Sequence, residues 1–222
     1  MGVVMLRTVL LSTAALALAV TAAPAAPTSS KLSNGAAVTV VSRTNQINGY
    51  YRYAPKKAVI FDSIGSGGYN CCSGWTISGP SSQIGEQIWS ADQITPTANG
   101  KVKKIVAGIG YVTGNNAAQL AIYTDSGGVP GKMVWSADVS SLPTFGTTGT
   151  TTVSAAVTGV KIKANTPFWV SVQTDSNSSN TWDAWNVSNT TNAPLAQNTG
   201  SGWTSYGSNA AGAMTVSGKV KK

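Results

Sequence analysis

Histidine is absent from this 222-residue chain, and glutamate occurs once, as Glu86. Without an imidazole there is no Ser-His-Asp or Cys-His set, no histidine metal site and no zinc-peptidase helix motif, because each depends on that ring. Cysteine is limited to the adjacent pair Cys71 and Cys72, which excludes a disulfide-rich scaffold and a four-ligand zinc site. Six aspartates and Glu86 are the whole supply of carboxylates for acid/base work. Glu86 and Asp92 fall on the same face of an extended strand, but six residues at ~3.3 Å each set them roughly 20 Å apart. Glycosidase carboxylates stand within ~5–9.5 Å of one another. No S-x-x-K stretch follows the amino-terminal segment to support serine-lysine chemistry. These absences lead us to expect a protein that is not an enzyme and needs no cofactor.

Long apolar runs are also missing beyond the amino terminus. Arg7, an apolar stretch from Val9 to Val20, and small residues at Ala22, Ala23, Ala25 and Ala26 have the layout of a secretory signal peptide over residues 1–26. The apolar stretch is 12 residues, against the ~20 that a spanning helix requires. We therefore expect no transmembrane segment in the mature chain and a secreted, extracellular or periplasmic location. Residues 27–35 read as a flexible lead-in, and residues 36–222 as one domain, a size that suits a single β-sandwich or barrel.

What remains is polar without being highly charged: Lys and Arg number 15, and charged residues are only 10% of the chain. In Phe168-Trp169-Val170-Ser171-Val172-Gln173-Thr174 the apolar residues alternate with polar ones at period two, as in a half-buried strand. Similar short runs occur at 38–42, 58–62, 86–94, 101–113, 118–124, 132–139, 151–163 and 213–220. Asp125-Ser126-Gly127-Gly128-Val129-Pro130-Gly131 is the clearest turn, with glycines for positive φ and a proline that stops a helix. Many short strands with Gly, Pro and Asn turns predict an all-β, two-sheet antiparallel β-sandwich of jelly-roll-like type.

Three successions carry a family resemblance: Ile60-Phe61-Asp62-Ser63-Ile64-Gly65, Gly74-Trp75-Thr76-Ile77-Ser78-Gly79, and Ile122-Tyr123-Thr124 leading into the 125–131 turn. Together with Pro167-Phe168-Trp169-Val170 and Trp182-Asp183-Ala184-Trp185-Asn186, they resemble the bacterial choice-of-anchor R domain over about residues 58–220. The resemblance implies an exported bacterial β-sandwich, often joined to a carboxyl-terminal sorting signal, with no established catalytic residues. No LPxTG-like motif or apolar tail follows residue 213, which shifts the expectation from surface anchoring toward free secretion or the periplasm.

Four features are candidates for function. Cys71 and Cys72 have Cα atoms ~3.8 Å apart across a trans peptide, so a vicinal disulfide, a bond between chains and two buried thiols are the open states; a redox switch and a rigid turn before Gly74 are the competing roles. Asp175, Asn177, Ser179 and Asp183 space oxygen side chains as a calcium loop does, but Asn180 and Asn186 stand where such a loop has glycine and glutamate. Trp182 and Trp185, with Asp183 and Asn186, could stack on and read a sugar, joined by Trp75, Trp203 and Tyr206 in a wider platform; the competing role is core packing. Lys101-Val102-Lys103, Lys161-Ile162-Lys163 and Lys219-Val220-Lys221 each place two lysines on one strand face, to protect sheet edges or to meet acidic partners. The lack of an arginine cluster argues against nucleic acid. The expected function is an exported interaction module for polysaccharide or for cell-surface or matrix components, with carbohydrate binding at 175–186 as the alternative.

Overall fold

The computed structural model describes residues 28–31, 37–42, 58–65, 68–147, 152–175 and 177–221, the first two stretches as backbone only. The expected signal segment lies outside these residues. The described chain is all-β, and no helix within it is long and apolar enough to cross a membrane.

Fifteen strands are described: β1 (Thr28–Lys31), β2 (Ala37–Ser42), β3 (Ala58–Asp62), β4 (Tyr69–Ser78), β5 (Trp89–Ile94), β6 (Gly100–Ala107), β7 (Ile109–Thr113) and β8 (Ala117–Asp125), then β9 (Pro130–Ser140), β10 (Val153–Ala156), β11 (Lys161–Ile162), β12 (Phe168–Gln173), β13 (Trp182–Asn198), β14 (Trp203–Gly212) and β15 (Met214–Val220). They form two antiparallel sheets. The larger runs β1-β2-β4-β13-β5-β12-β8-β9, with β14 and β7 also paired to β13; the smaller runs β10-β6-β15-β3, with β11 paired to β6. The expected sandwich is therefore present. Part of the expected lead-in is itself a strand, because β1 pairs with the open edge of β2.

The main core lies between the sheets. Ile94, Leu120, Ile122, Phe168, Val170, Val172 and Leu195 of the larger sheet pack with Val102, Ile105, Met214 and Val216 of the smaller. The β8–β9 turn forms as its residues dictate: Ser126 N donates to the Val129 carbonyl, with Gly127 at φ 66° and Gly128 at φ 86°.

Two expected runs are broken where the chain changes sheet or direction. The 101–113 run divides at Gly108, which carries the chain from β6 into β7. The 151–163 run divides before β11, where Gly159 adopts φ 78°. A second crossing, from β14 to β15 at Ala213, lies beside the first: Gly108 N donates to the Ala213 carbonyl, Asn186 N to the Gly108 carbonyl, and Ala213 N to the Asn186 carbonyl.

Candidate functional site

The 182–186 segment is not a surface platform. β13 pairs with β4 on one side and β7 on the other, so its side chains alternate between two covered faces. Trp185 lies opposite Trp75 and Ile109 in the main core, and its indole Nε1 donates to the Ala213 carbonyl (3.2 Å). Trp182 faces the other way, packed with Phe145 and Ala184. Both tryptophans and Asp183 are buried, and Asn186 sits between the two sheet crossings. A ring enclosed on both faces cannot stack on a sugar, which corrects the expectation for Trp182, Asp183, Trp185 and Asn186. Trp75 is buried as well.

The calcium arrangement is likewise not assembled. Asp175 Oδ1 accepts from Asn177 N (2.8 Å), closing the local turn, while Ser179 is exposed and Asp183 lies in the interior opposite Ile77 and Tyr111. Alternation along β13 separates Asp183 from the loop that holds the other three. Among the described residues no cluster of three or more His, Cys, Asp or Glu side chains could hold a metal.

Burial pushes the Asp183 carboxyl up to about 9, partly offset by the Val112 backbone N–H; neither oxygen has a hydrogen-bond partner of ordinary geometry among the described residues. Asp92 is raised well above the usual carboxylate range by burial, against the opposing effect of Gly212 N, which donates to its Oδ2 (2.6 Å). Both aspartates are buried fixtures of the core, where desolvation favours the protonated form. Asp62 accepts from Ile64 N, Gly65 N and Thr215 Oγ1, so it too is structural.

Cys71 and Cys72 form a vicinal disulfide, with Cα atoms 3.8 Å apart. The pair sits inside β4 rather than in a turn, and the two residues are 4% and 2% exposed.

The other face of the larger sheet carries a site of which the sequence marked only Trp203 as a candidate. Ala91, Ala121 and Ala196 form a floor of small residues around Trp169 and Tyr123, with Trp203 packed against them. Tyr123 Oη donates to Gln173 Oε1 (2.7 Å), Gln173 Nε2 to Gln119 Oε1 (2.9 Å), and Gln119 Nε2 to Asp138 Oδ1 (2.8 Å). Asp125 Oδ1 accepts from Gln93 Nε2 (2.7 Å) and Trp169 Nε1 (2.8 Å), and its Oδ2 from Gly128 N. Burial would raise the Asp125 carboxyl, but these three bonds prevail and lower it. Trp89 Nε1 donates to Thr174 Oγ1 (2.9 Å) at the rim. Trp89 and Trp203 are only half-buried, so this face presents aromatic edges beside fixed amides.

The lysine triplets converge. Lys101 of β6 lies directly opposite Lys161 of β11 on one side and Lys219 of β15 on the other. Two clefts flank this row. One, about 550 Å³, is lined by Asn99, Lys101, Lys161, Lys219, Val220 and Lys221; the other, about 480 Å³, shares Lys161 and Ile162 with it and continues past Lys163 to Phe168 and Val134. The chain matches no protein-family model, no curated protein and no solved structure.

Proposed function

We propose that the chain is a non-enzymatic, exported β-sandwich that works as an extracellular or periplasmic interaction module. The observation that carries this reading is the opposite placement of acids and bases. Asp92 and Asp183 are buried in the core, Asp62, Asp125, Asp138 and Asp175 are engaged by neighbouring donors, and exposed Glu86 belongs to no cluster of three or more acids among the described residues. The surface offers lysines, amides and aromatic edges, groups that hold a ligand rather than transform one. The signal-like amino terminus and the choice-of-anchor R resemblance support export. Incubation of the purified chain with soluble and insoluble polysaccharides tests this: retention without release of reducing ends is expected, and turnover of any glycan overturns it.

Carbohydrate recognition is a second reading, moved from 182–186 to the Trp203 face of the larger sheet. Half-buried Trp203 and Trp89 beside Gln93 and Gln119 favour it, since an aromatic edge can pack on the C–H face of a sugar while amides meet its hydroxyls. Trp203→Ala should abolish retention on a neutral polysaccharide while leaving binding to acidic polymers intact. Unchanged retention overturns the assignment.

A further inference from the structure

We propose that the twin cleft around Lys161, Lys101 and Lys219 binds an acidic polysaccharide; this rests on the interaction-module reading and names the partner of a second face. Three lysines directly opposite one another across three strands repel, and cross-strand like charges weaken a sheet. Edge protection accounts for Lys161, on the edge strand β11, but not for Lys101 of β6, which has a strand partner on each side. None of the three, nor Lys163 or Lys221, forms an ion pair among the described residues. The row is thus an uncompensated cationic strip that runs from the edge strand β11 inward across β6 to β15.

The backbone beneath the strip is fixed. Asn99 Oδ1 accepts from Ala164 N (2.9 Å) and the Asn99 carbonyl from Lys221 N (2.8 Å), tying the ends of the two outer lysine segments to the turn before β6. Gly100 and Gly218 permit this closeness, since a Cβ on Gly100 would meet the Lys219 carbonyl and one on Gly218 the Lys101 carbonyl. Strand spacing sets neighbouring lysines of the row ~4.8 Å apart, and Lys163 and Lys221 follow just past the ends of β11 and β15. Such an array matches a polymer with closely repeated charges.

The lining selects the class of polyanion. The charges are all ammonium groups, point charges that meet carboxylate and phosphate alike, so the apolar lining beside them is what favours an acidic sugar polymer over a bare polyphosphate. Val134 and Val220 stay 47% and 37% exposed along the clefts, beside Ile162 and Phe168. The two exposed valines, and not the buried Ile162 and Phe168, can pack on the C–H faces of a pyranose ring while the lysines meet its acid groups. Asp125 lines one end, but its oxygens are occupied by Trp169, Gln93 and Gly128.

The test is affinity electrophoresis of the full chain in gels containing polygalacturonate, with neutral dextran, polyphosphate and phosphatidylglycerol vesicles as comparison probes. Retardation by polygalacturonate that disappears in 1 M salt, where the screening length falls to ~3 Å, is expected. Lys101→Gln/Lys219→Gln should weaken it at least ~10-fold, while Lys104→Gln/Lys132→Gln, with the same loss of charge, should change it less than ~2-fold; that contrast separates local contacts from net charge. Equal losses in the two double variants, or stronger binding of polyphosphate or vesicles than of polygalacturonate, overturn the assignment. Retention on a neutral glycan alone would overturn it while leaving the module reading standing, and absence of binding to every polysaccharide tested would remove both.

Discussion

The indole of Trp203 meets the ring of Tyr123 edge to face, with centroids 5.6 Å apart and planes at 72°. Their strands are not neighbours: β13, β5 and β12 lie between β14 and β8. In a flat sheet four strand steps would set the two backbones roughly 19 Å apart. The contact therefore requires the larger sheet to curl until its two flanks face each other, which the small floor of Ala91, Ala121 and Ala196 permits. Curling also explains why β12 is buried along its whole length, with Ser171 and Gln173 enclosed rather than facing solvent as its alternation predicts.

Trp203→Ala should destabilise the fold by roughly 1–3 kcal/mol, below the cost of deleting a fully buried tryptophan, because Trp203 is only half-buried and the aromatic pair adds ~0.5–1.5 kcal/mol to area burial. Trp203→Phe should recover much of this. Urea unfolding with near-ultraviolet circular dichroism measures both. A loss below ~0.5 kcal/mol for the alanine variant would mean that the contact does not hold the curl.

Gly212 and Trp185 are expected to be strongly coupled. A Cβ on Gly212 would overlap the Trp185 indole, and the same glycine N–H holds Asp92 where the chain passes toward β15. Gly212→Ala alone should cost ~3 kcal/mol or more through overpacking and displacement of the amide. Adding Trp185→Leu makes room for the methyl, so the double variant should be less destabilised than the sum of the singles by at least ~1 kcal/mol. Additivity in denaturant titrations would show that the indole does not impose the glycine.

Much of the sandwich can be read from the residues themselves. The 58–62, 118–124, 132–139, 168–174 and 213–220 runs coincide closely with β3, β8, β9, β12 and β15, because alternation and turn glycines are local signals. β4, β13 and β14 are harder to read. Tyr69–Ser78 carries the cysteine pair, and the other two are rich in Asn, Ser, Thr and Gly, residues that favour turns when taken alone. They are strands because long-range pairing and cover by neighbouring elements outweigh local preference. The Lys-apolar-Lys triplets are visible in sequence, but only register places Lys161, Lys101 and Lys219 opposite one another. Trp203 is visible in sequence as a candidate, but its partners escape sequence reading for the same reason, since the sheet curl brings together residues of distant strands.

Stability should fall as pH rises between ~4 and ~9. Asp183 keeps its proton in the fold up to about 9, whereas an unfolded aspartate loses it near ~3.9. Within that window the folded state binds one more proton, so unfolding becomes easier by ~1.4 kcal/mol per pH unit for such a group; below ~4 both states are protonated and the effect vanishes. Asp92 acts in the same sense. Asp125, held low by its hydrogen bonds, acts oppositely: its contribution is present above ~4 and is lost in acid. Asp183→Asn should flatten the decline measured by urea titration from about pH 5 to 9. An unchanged slope would mean that Asp183 is ionised in the fold.

The vicinal disulfide should contribute little through chain entropy. It closes no loop beyond its own two residues, whereas the ~2–5 kcal/mol lost with an ordinary disulfide grows with the length of chain enclosed. Cys71→Ala/Cys72→Ala should therefore cost only the packing of two buried sulfurs, about 1–2 kcal/mol. With the residues 4% and 2% exposed, reductant followed by alkylation should add mass in the native protein no faster than local opening allows, and rapidly in urea. Prompt labelling of the native chain would show that the pair is accessible to redox partners.

Lys101→Glu should stabilise the protein while removing its affinity for acidic polymer. Lys101 is the middle member of the row, so the change replaces two repulsive cross-strand pairs by two attractive ones, each worth roughly 0.2–1 kcal/mol. For a chain of this size, about 1 kcal/mol corresponds to a Tm shift of about 2–4 °C. The rise should be clear at low ionic strength and nearly absent in about 1 M salt. A residue whose replacement strengthens the fold and abolishes binding is held there by what it binds, a common relation between stability and function. Loss of stability in Lys101→Glu at low salt would show instead that the row is compensated within the fold.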